Sequence, residues 1–343
     1  MLVPFRLPRI NSRSMGFFAA ASVALLALSG CSAGSGSKLP EPTPSTPSAV
    51  QAGPQLGYAW LAKDQTLRPI LGVPGSSVTG ASVVPAGTFL GGASSSAAAV
   101  ALLIGTDQQV YRMNLPTGTP SRINLAAGAG ARILFSPSGV AALVYVPGSL
   151  AASVVTGLSS TPQTRPIPVA APLLDMAVSD QGTVVALEKA AGGDTLEFVS
   201  SGGSQHSLGT LDGDGGLAFA GAGDDLLAAD SVSNTLTLIR NVSTAPSPSR
   251  LPTSNLLKAP VAVGVSHNGR WAVVANGREA SVVQVDLTGA AGPHRIACPS
   301  RPTVVEQLSG NGVFRFTEIG GTPTWMADIT LSKPAMLFIP AAS

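Results

Sequence analysis

A short phrase recurs along the chain at nearly constant spacing: an apolar residue, a small residue, a turn ending in glycine, then an apolar run. It reads Phe135-Ser136-Pro137-Ser138-Gly139 before Val140–Val146, and Val178-Ser179-Asp180-Gln181-Gly182 before Thr183–Leu187. It returns as Phe219-Ala220-Gly221-Ala222-Gly223, as Val265-Ser266-His267-Asn268-Gly269 and as Leu308-Ser309-Gly310-Asn311-Gly312. The phrase-ending glycines 139, 182, 223, 269 and 312 lie 43, 41, 46 and 43 residues apart. One further interval upstream of Gly139 falls on Ser96, just before the apolar run Ala98–Ile104. Between the phrases, Val/Ile/Leu/Ala runs alternate with Gly, Pro, Ser and Asn clusters, and no window of a dozen residues keeps a 3.6-residue period. That texture argues for short strands and tight turns. A period near 43 with four short strands per unit predicts an all-β chain, a β-propeller of six to seven four-stranded blades. Each phrase is then the turn from an innermost strand to the second, with glycine where the turn takes φ > 0. A solenoid or sandwich is the competing architecture, but a sandwich would not repeat one phrase at constant spacing. Leu56–Val73 is left over, with strands expected at Tyr58–Ala62 and Leu67–Leu71. It reads as a partial seventh blade or as a segment pairing with the final strands to close the ring.

Two units carry a resemblance. Ala262–Leu287 reads AVGVSHNGRWAVVANGREASVVQVDL, and Ala229–Ile239 reads ADSVSNTLTLI. Both resemble the YVTN-type β-propeller repeat, whose members include surface-layer proteins and relatives of the 6-phosphogluconolactonase propellers. The likeness runs through the turn glycine, the apolar strand, the Asn-containing turn and the following Val-x-Val strand. The tetrapeptide itself is replaced by Val273-Val274-Ala275-Asn276. The resemblance implies a fold; it spans enzymes and binding scaffolds, so it does not choose between them.

The first thirty residues have the parts of a secretory signal. Arg6, Arg9 and Arg13 form a cationic start with no acidic residue, and Phe17–Leu28 is an apolar stretch of twelve. That is too short to span a hydrocarbon core of ~30 Å. It ends in Leu28-Ser29-Gly30-Cys31, which looks like a bacterial lipobox: an aliphatic residue, two small ones, and the cysteine whose thiol takes the diacylglycerol. The expected division is therefore residues 1–30 as a lipoprotein signal peptide and 31–54 as a lipidated cysteine with a Pro/Ser-rich disordered tether, followed by the propeller over 55–343. The tether carries Pro40, Pro42, Pro44, Pro47 and Pro54, and proline-rich chain is extended at ~3.1 Å per residue. The protein is expected to sit in the bacterial cell envelope, held in the membrane by lipid on Cys31; in a Gram-negative host that means the outer membrane or the periplasmic side.

Cleavage changes the charge argument. The whole chain has 20 Lys+Arg and 18 Asp+Glu, a net +2. Losing three arginines leaves 17 against 18, so the mature chain is near neutral and gives no electrostatic case for nucleic acid. Cys31 and Cys298 are the two cysteines. With Cys31 acylated, Cys298 has no intramolecular partner, so it is expected to be buried as a small hydrophobe.

No catalytic constellation stands out, and no cofactor or metal is expected. Gly30-Cys31-Ser32-Ala33-Gly34 fits G-x-S-x-G but straddles the cleavage site. Gly213-Asp214-Gly215 and Gly128-Ala129-Gly130 echo a dinucleotide fingerprint without a following helix. His206 and His294 are expected on outer strands and His267 in a turn, too far apart to share a metal. Asp212-Gly213-Asp214 offers two carboxylates, fewer than Ca²⁺ wants, and reads as a polar loop. Loops entering an inner strand share one face with loops between the second and third strands. On that face fall Asp212, Asp214, Lys189, Asp230, Asn234, Asn276, Arg278, Glu279 and Arg301, which form either a binding surface for a protein or glycan or a solvated rim. The expected function is a membrane-anchored binding or scaffold module. The alternative is a lactonase-like propeller enzyme acting on a small sugar-derived substrate, which would need a carboxylate, His and Arg set at one channel mouth.

Overall fold

The small residue of the repeated phrase closes the turn that it begins. Ser136, Ser179 and Ser266 each accept, at Oγ, the backbone N–H four or five residues on, from Ala141 (3.1 Å), Thr183 (3.2 Å) and Trp271 (2.9 Å). Gly139, Gly182 and Gly269 then take φ of +76°, +74° and +71°, a region costly to side chains with a Cβ. Gly223 and Gly312 do not; Gly221 (+68°) and Gly310 (+84°) supply the positive φ in those blades. In the last blade the register is shifted: Leu308 donates to the Val313 carbonyl as Ser266 does to that of Trp271, which puts Asn311 rather than Gly312 at the place of Gly269.

The computed structural model describes residues 53–128, 130–316 and 324–340. The signal sequence, Leu28, Ser29, Gly30, Cys31 and nearly all of the tether lie outside them. Residues 52–343 form one compact unit of seven antiparallel sheets, each contiguous in sequence. Blade 1 has three strands: Gln55–Leu61, Thr66–Val73 and Ser76–Thr79. The other six have four, and their inner strands are Phe89–Ser95, Arg132–Phe135, Leu173–Val178, Asp214–Phe219, Pro260–Val265 and Glu306–Gln307. The fold is thus a β-propeller at the upper end of the expected blade number. The leftover N-terminal segment is a blade of its own rather than a strand lent to the last one.

Second strands such as Val100–Gly105, Ala142–Tyr145, Val184–Glu188 and Leu226–Asp230 are buried along their whole length. A strand covered on both faces reads as a continuous apolar run, as these do. The core is accordingly divided into seven clusters, one for each pair of neighbouring blades. The pair formed by blades 7 and 1 closes the ring by packing Leu308, Val313, Met326 and Ile339 against Leu56, Ala59, Leu61 and Ile70. Ser309 bolts the seam, its N–H donating to the Leu56 carbonyl at 2.5 Å and its hydroxyl to that of Gln55 at 2.9 Å. On the face of the phrase turns, each of several turns bonds the next: Ser138 N–H to Asp180 (3.0 Å), Gln181 to the Ala222 carbonyl (3.2 Å) and Asn268 N–H to Asn311 (2.8 Å).

Candidate functional site

The nine residues assigned to one face all lie there, in loops entering an inner strand, in loops joining second and third strands, or at the adjoining strand ends. Three of them hold the loops rather than face solvent. Asp230 ends the second strand of blade 5, is buried, and accepts N–H groups from Asp212 (2.9 Å), Val232 (2.8 Å) and Ser233 (2.9 Å). Burial works to raise its pKa, but the Ser233, Asp212 and Val232 N–H groups outweigh it and hold the carboxyl below its usual range. Asn276, in the matching place of blade 6, is fully buried; it accepts from Lys258 N–H (2.8 Å) and donates to the Leu256 carbonyl and Ser281. Asn234 sits at φ +57° and accepts the Ala259 N–H at 2.5 Å, tying blade 5 to blade 6. Glu188 plays the same part in blade 4, accepting N–H groups from Ala170 and Ala171. It escaped notice because it looked like one more charge at the end of an apolar run.

Of the remaining six, Lys189 pairs with buried Asp194 at 3.0 Å and Glu279 with Arg295 at 3.0 Å. Asp212, Asp214, Arg278 and Arg301 are exposed. None of the nine lines the central channel of the ring. His206 and His294 stand on fourth strands and His267 in a turn. No group of three His, Cys, Asp or Glu among the described residues is placed to hold a metal ion.

The central channel is a cavity of about 780 Å³, walled by the inner strands of all seven blades. Much of the wall is small or apolar: Gly92, Ala177, Leu217, Val263 and Val305 are examples. Two of its charges pair with each other. Glu306 lies opposite Arg315 in the ladder, and its Oε2 accepts from the guanidinium Nε at 2.6 Å and from Nη2. Beside them, turning the Gln307 amide over brings its oxygen to the His267 N–H (2.8 Å) and its nitrogen to the Val265 carbonyl (3.0 Å), partners that would tie blade 7 to blade 6.

Across the ring, Asp175 sits at a β-bulge of the blade 4 inner strand. It accepts the Tyr145 hydroxyl of blade 3 at 3.1 Å and the Leu217 N–H of blade 5 at 2.9 Å. Burial pushes its carboxyl above the usual carboxylate range, against the pull of the Met176 and Leu217 N–H groups, the Tyr145 hydroxyl and the Arg132 cation. Burial first, then the neighbouring Asp175, pushes the Tyr145 phenol upward. Arg132, on the channel wall in blade 3, is the opposing charge. The sequence signal for these residues was a charged residue interrupting an apolar inner strand, as in Leu173–Val178.

No protein-family model and no curated protein matches the sequence. Solved structures do resemble the fold. A functionally unknown protein from Desulfotomaculum acetoxidans DSM 771 has a TM-score of 0.55 at 12% identity, over 84% of this chain and 100% of that one. A streptogramin B lyase gives 0.53 at 15% identity, over 80% of this chain and 87% of its own. AztD of Citrobacter koseri gives 0.55 at 14% identity, over 84% of this chain and 81% of its own. At such identities the likeness is one of fold, and it agrees with the seven sheets: the chain is a β-propeller.

Proposed function

We propose that the protein is an exported lipoprotein, anchored in the bacterial cell envelope through Cys31, whose propeller serves as a binding module with the central channel as its ligand site. The observation that carries the reading is the channel itself: a cavity of about 780 Å³ on seven inner strands, whose acidic lining residue among the described residues, Glu306, is engaged by Arg315. Asp175, next in sequence to the lining residue Met176, is engaged by Tyr145 and the Leu217 N–H. Groups committed in this way position a wall more readily than they exchange protons with a substrate. A concave, mostly apolar cavity with a few convergent polar groups is also the usual form of a small-molecule site.

Two experiments test the reading. Cys31→Ser should abolish incorporation of radioactive palmitate; equal label on the variant would remove the anchor. A photoreactive side chain at His267, on the channel wall, should capture a ligand from envelope extracts that the same group at Arg250, on an outer strand, does not. Equal capture at both positions would remove the channel as the site. Hydrolysis of a sugar lactone that is abolished by Arg315→Ala would establish the lactonase-like alternative instead.

A further inference from the structure

A second cavity lies on the face of the phrase turns, in the groove between blades 6 and 7. Its volume is about 860 Å³, and it shares no residue with the channel. Its wall holds Arg270, His294 and Lys333, all exposed, and no aspartate or glutamate. The carboxylates beside it already have partners. Asp286 is buried, accepts the Thr288 N–H (2.9 Å) and hydroxyl (2.6 Å), and takes one guanidinium nitrogen of Arg270 at 3.1 Å. Asp328 accepts the Thr330 N–H (2.9 Å) and hydroxyl (2.6 Å) in the same way. The Arg270 guanidinium stacks 4.7 Å above the centre of the Trp271 ring, which fixes its plane against the wall. Gln284 is buried and donates its amide N–H to the Ile329 carbonyl at 3.1 Å. Its amide oxygen has no hydrogen-bond partner among the described residues and is left as an acceptor on the wall. Asn311 accepts the Asn268 N–H with its oxygen, which leaves its amide nitrogen as a donor.

The groove therefore combines cations for an anionic group, a free amide acceptor and a free amide donor for hydroxyls, and an aromatic–guanidinium stack beside them. A carboxylate finds planar, bidentate donors in a guanidinium. Ring hydroxyls need donors and acceptors in alternation, which amides supply. We propose that this groove is a binding site for an acidic saccharide, a sugar ring bearing a carboxylate. The site is separate from the channel and from the loop face, and it does not rest on the lipid anchor.

The test uses the full-length protein in detergent and saturation-transfer NMR with glucuronate, glucose and acetate as probes. Glucuronate should bind saturably, and at least tenfold more tightly than either glucose or acetate. Lys333→Glu, an exposed substitution that leaves the fold intact, should weaken glucuronate at least fivefold. Arg270→Ala should weaken it further, with circular dichroism checking that the blade still folds. Arg250→Gln, an exposed change on an outer strand of blade 5 that lines neither cavity, should leave binding unchanged. Equal affinity for glucuronate and glucose would overturn the anionic assignment, and equal affinity for acetate would overturn the saccharide. Unchanged binding in a folded Lys333→Glu variant, or no binding at all, would overturn the site.

Discussion

Asp175 is a carboxyl group that three blades share, and its raised pKa makes it a reporter of the assembled ring. Folding favours its protonated form, so the folded chain holds a proton that the unfolded chain releases above the usual value of 3.8. The stability that this group contributes is present at low pH and falls as pH rises through the window from 3.8 up to the folded value. Asn cannot ionise. The wild type should therefore lose stability relative to Asp175→Asn as pH rises through that window, read as the urea midpoint at a series of pH values. Parallel curves for the two proteins would place the carboxyl in water. Cys298 makes a second residue-scale case. It is 8% exposed, packs with Ile296, Phe314 and Phe316, and burial pushes its thiol up to about 11. Because the thiolate is the reactive form, a thiol reagent should modify it slowly in the native protein and fully after denaturation. Cys298→Ala should cost about 1 kcal/mol, the scale of a small lost burial; rapid native labelling would contradict this packing. The burial of Cys298 was legible because an unpaired thiol in an exported chain is a liability if exposed, and this one follows the outer strand His294–Ala297. The Asp175 cluster was not, because its members come from three blades and touch only after the ring is built.

At the scale of the element, the glycines of the repeated turn separate into two kinds, and substitution should separate them too. Gly269 has φ +71° with its nearest neighbour 3.7 Å from where a Cβ would stand, so the cost of a side chain there is backbone strain rather than collision. Gly269→Val should destabilise by about 1–3 kcal/mol, the usual penalty for a β-branched residue held at positive φ. Gly223 lies outside the left-handed region with its nearest neighbour at 3.9 Å, so Gly223→Ala should change stability by less than about 0.5 kcal/mol, as a surface substitution does. Equal losses in thermal unfolding would mean that the two turns are the same after all. The period and the order of strands within a blade were readable because each blade needs the same tight turn. Gly223 and Gly312 matched the spacing without having the conformation, since a glycine-rich turn can place its positive φ one or two residues earlier. Blades 1 and 2 hid their turns more fully: Gln65 (φ 52°) and Ala99 (φ 49°) take the left-handed position without glycine. The loop-face residues were placed by register, yet register could not tell Asp230, Asn234 and Asn276, which tie backbone, from Asp212 and Arg301, which face water.

For the molecule as a whole, the question is where a ring of contiguous sheets is weakest. Among the described residues no strand crosses from one chain end into the other's sheet, so blade 1 is held by side-chain packing, the Ser309 bonds and the Ser94 hydroxyl, which donates to the Tyr58 carbonyl. It also has three strands where its neighbours have four, and among the described residues the clusters on its two flanks are the smallest. They hold seven and eight buried residues, against twelve in each cluster flanking blade 4. Burial drives the association of blades, so opening should begin at blade 1, as the least buried unit of a structure opens first. Native-state hydrogen exchange should find the amides of Thr66–Val73 less protected than those of Val184–Glu188, although both strands are paired on both sides within their sheets. Leu308→Ala, which empties a buried position at the seam, should cost about 2–4 kcal/mol. The loss of protection should spread to blades 1 and 7 and leave Val184–Glu188 at the same rank. Uniform loss across all seven blades would mean that the ring unfolds as one unit and that the seam is no weaker than the rest. Loss confined to blade 7 would mean that blade 1 stands on its packing against blade 2, and that the contact closing the ring adds little to it.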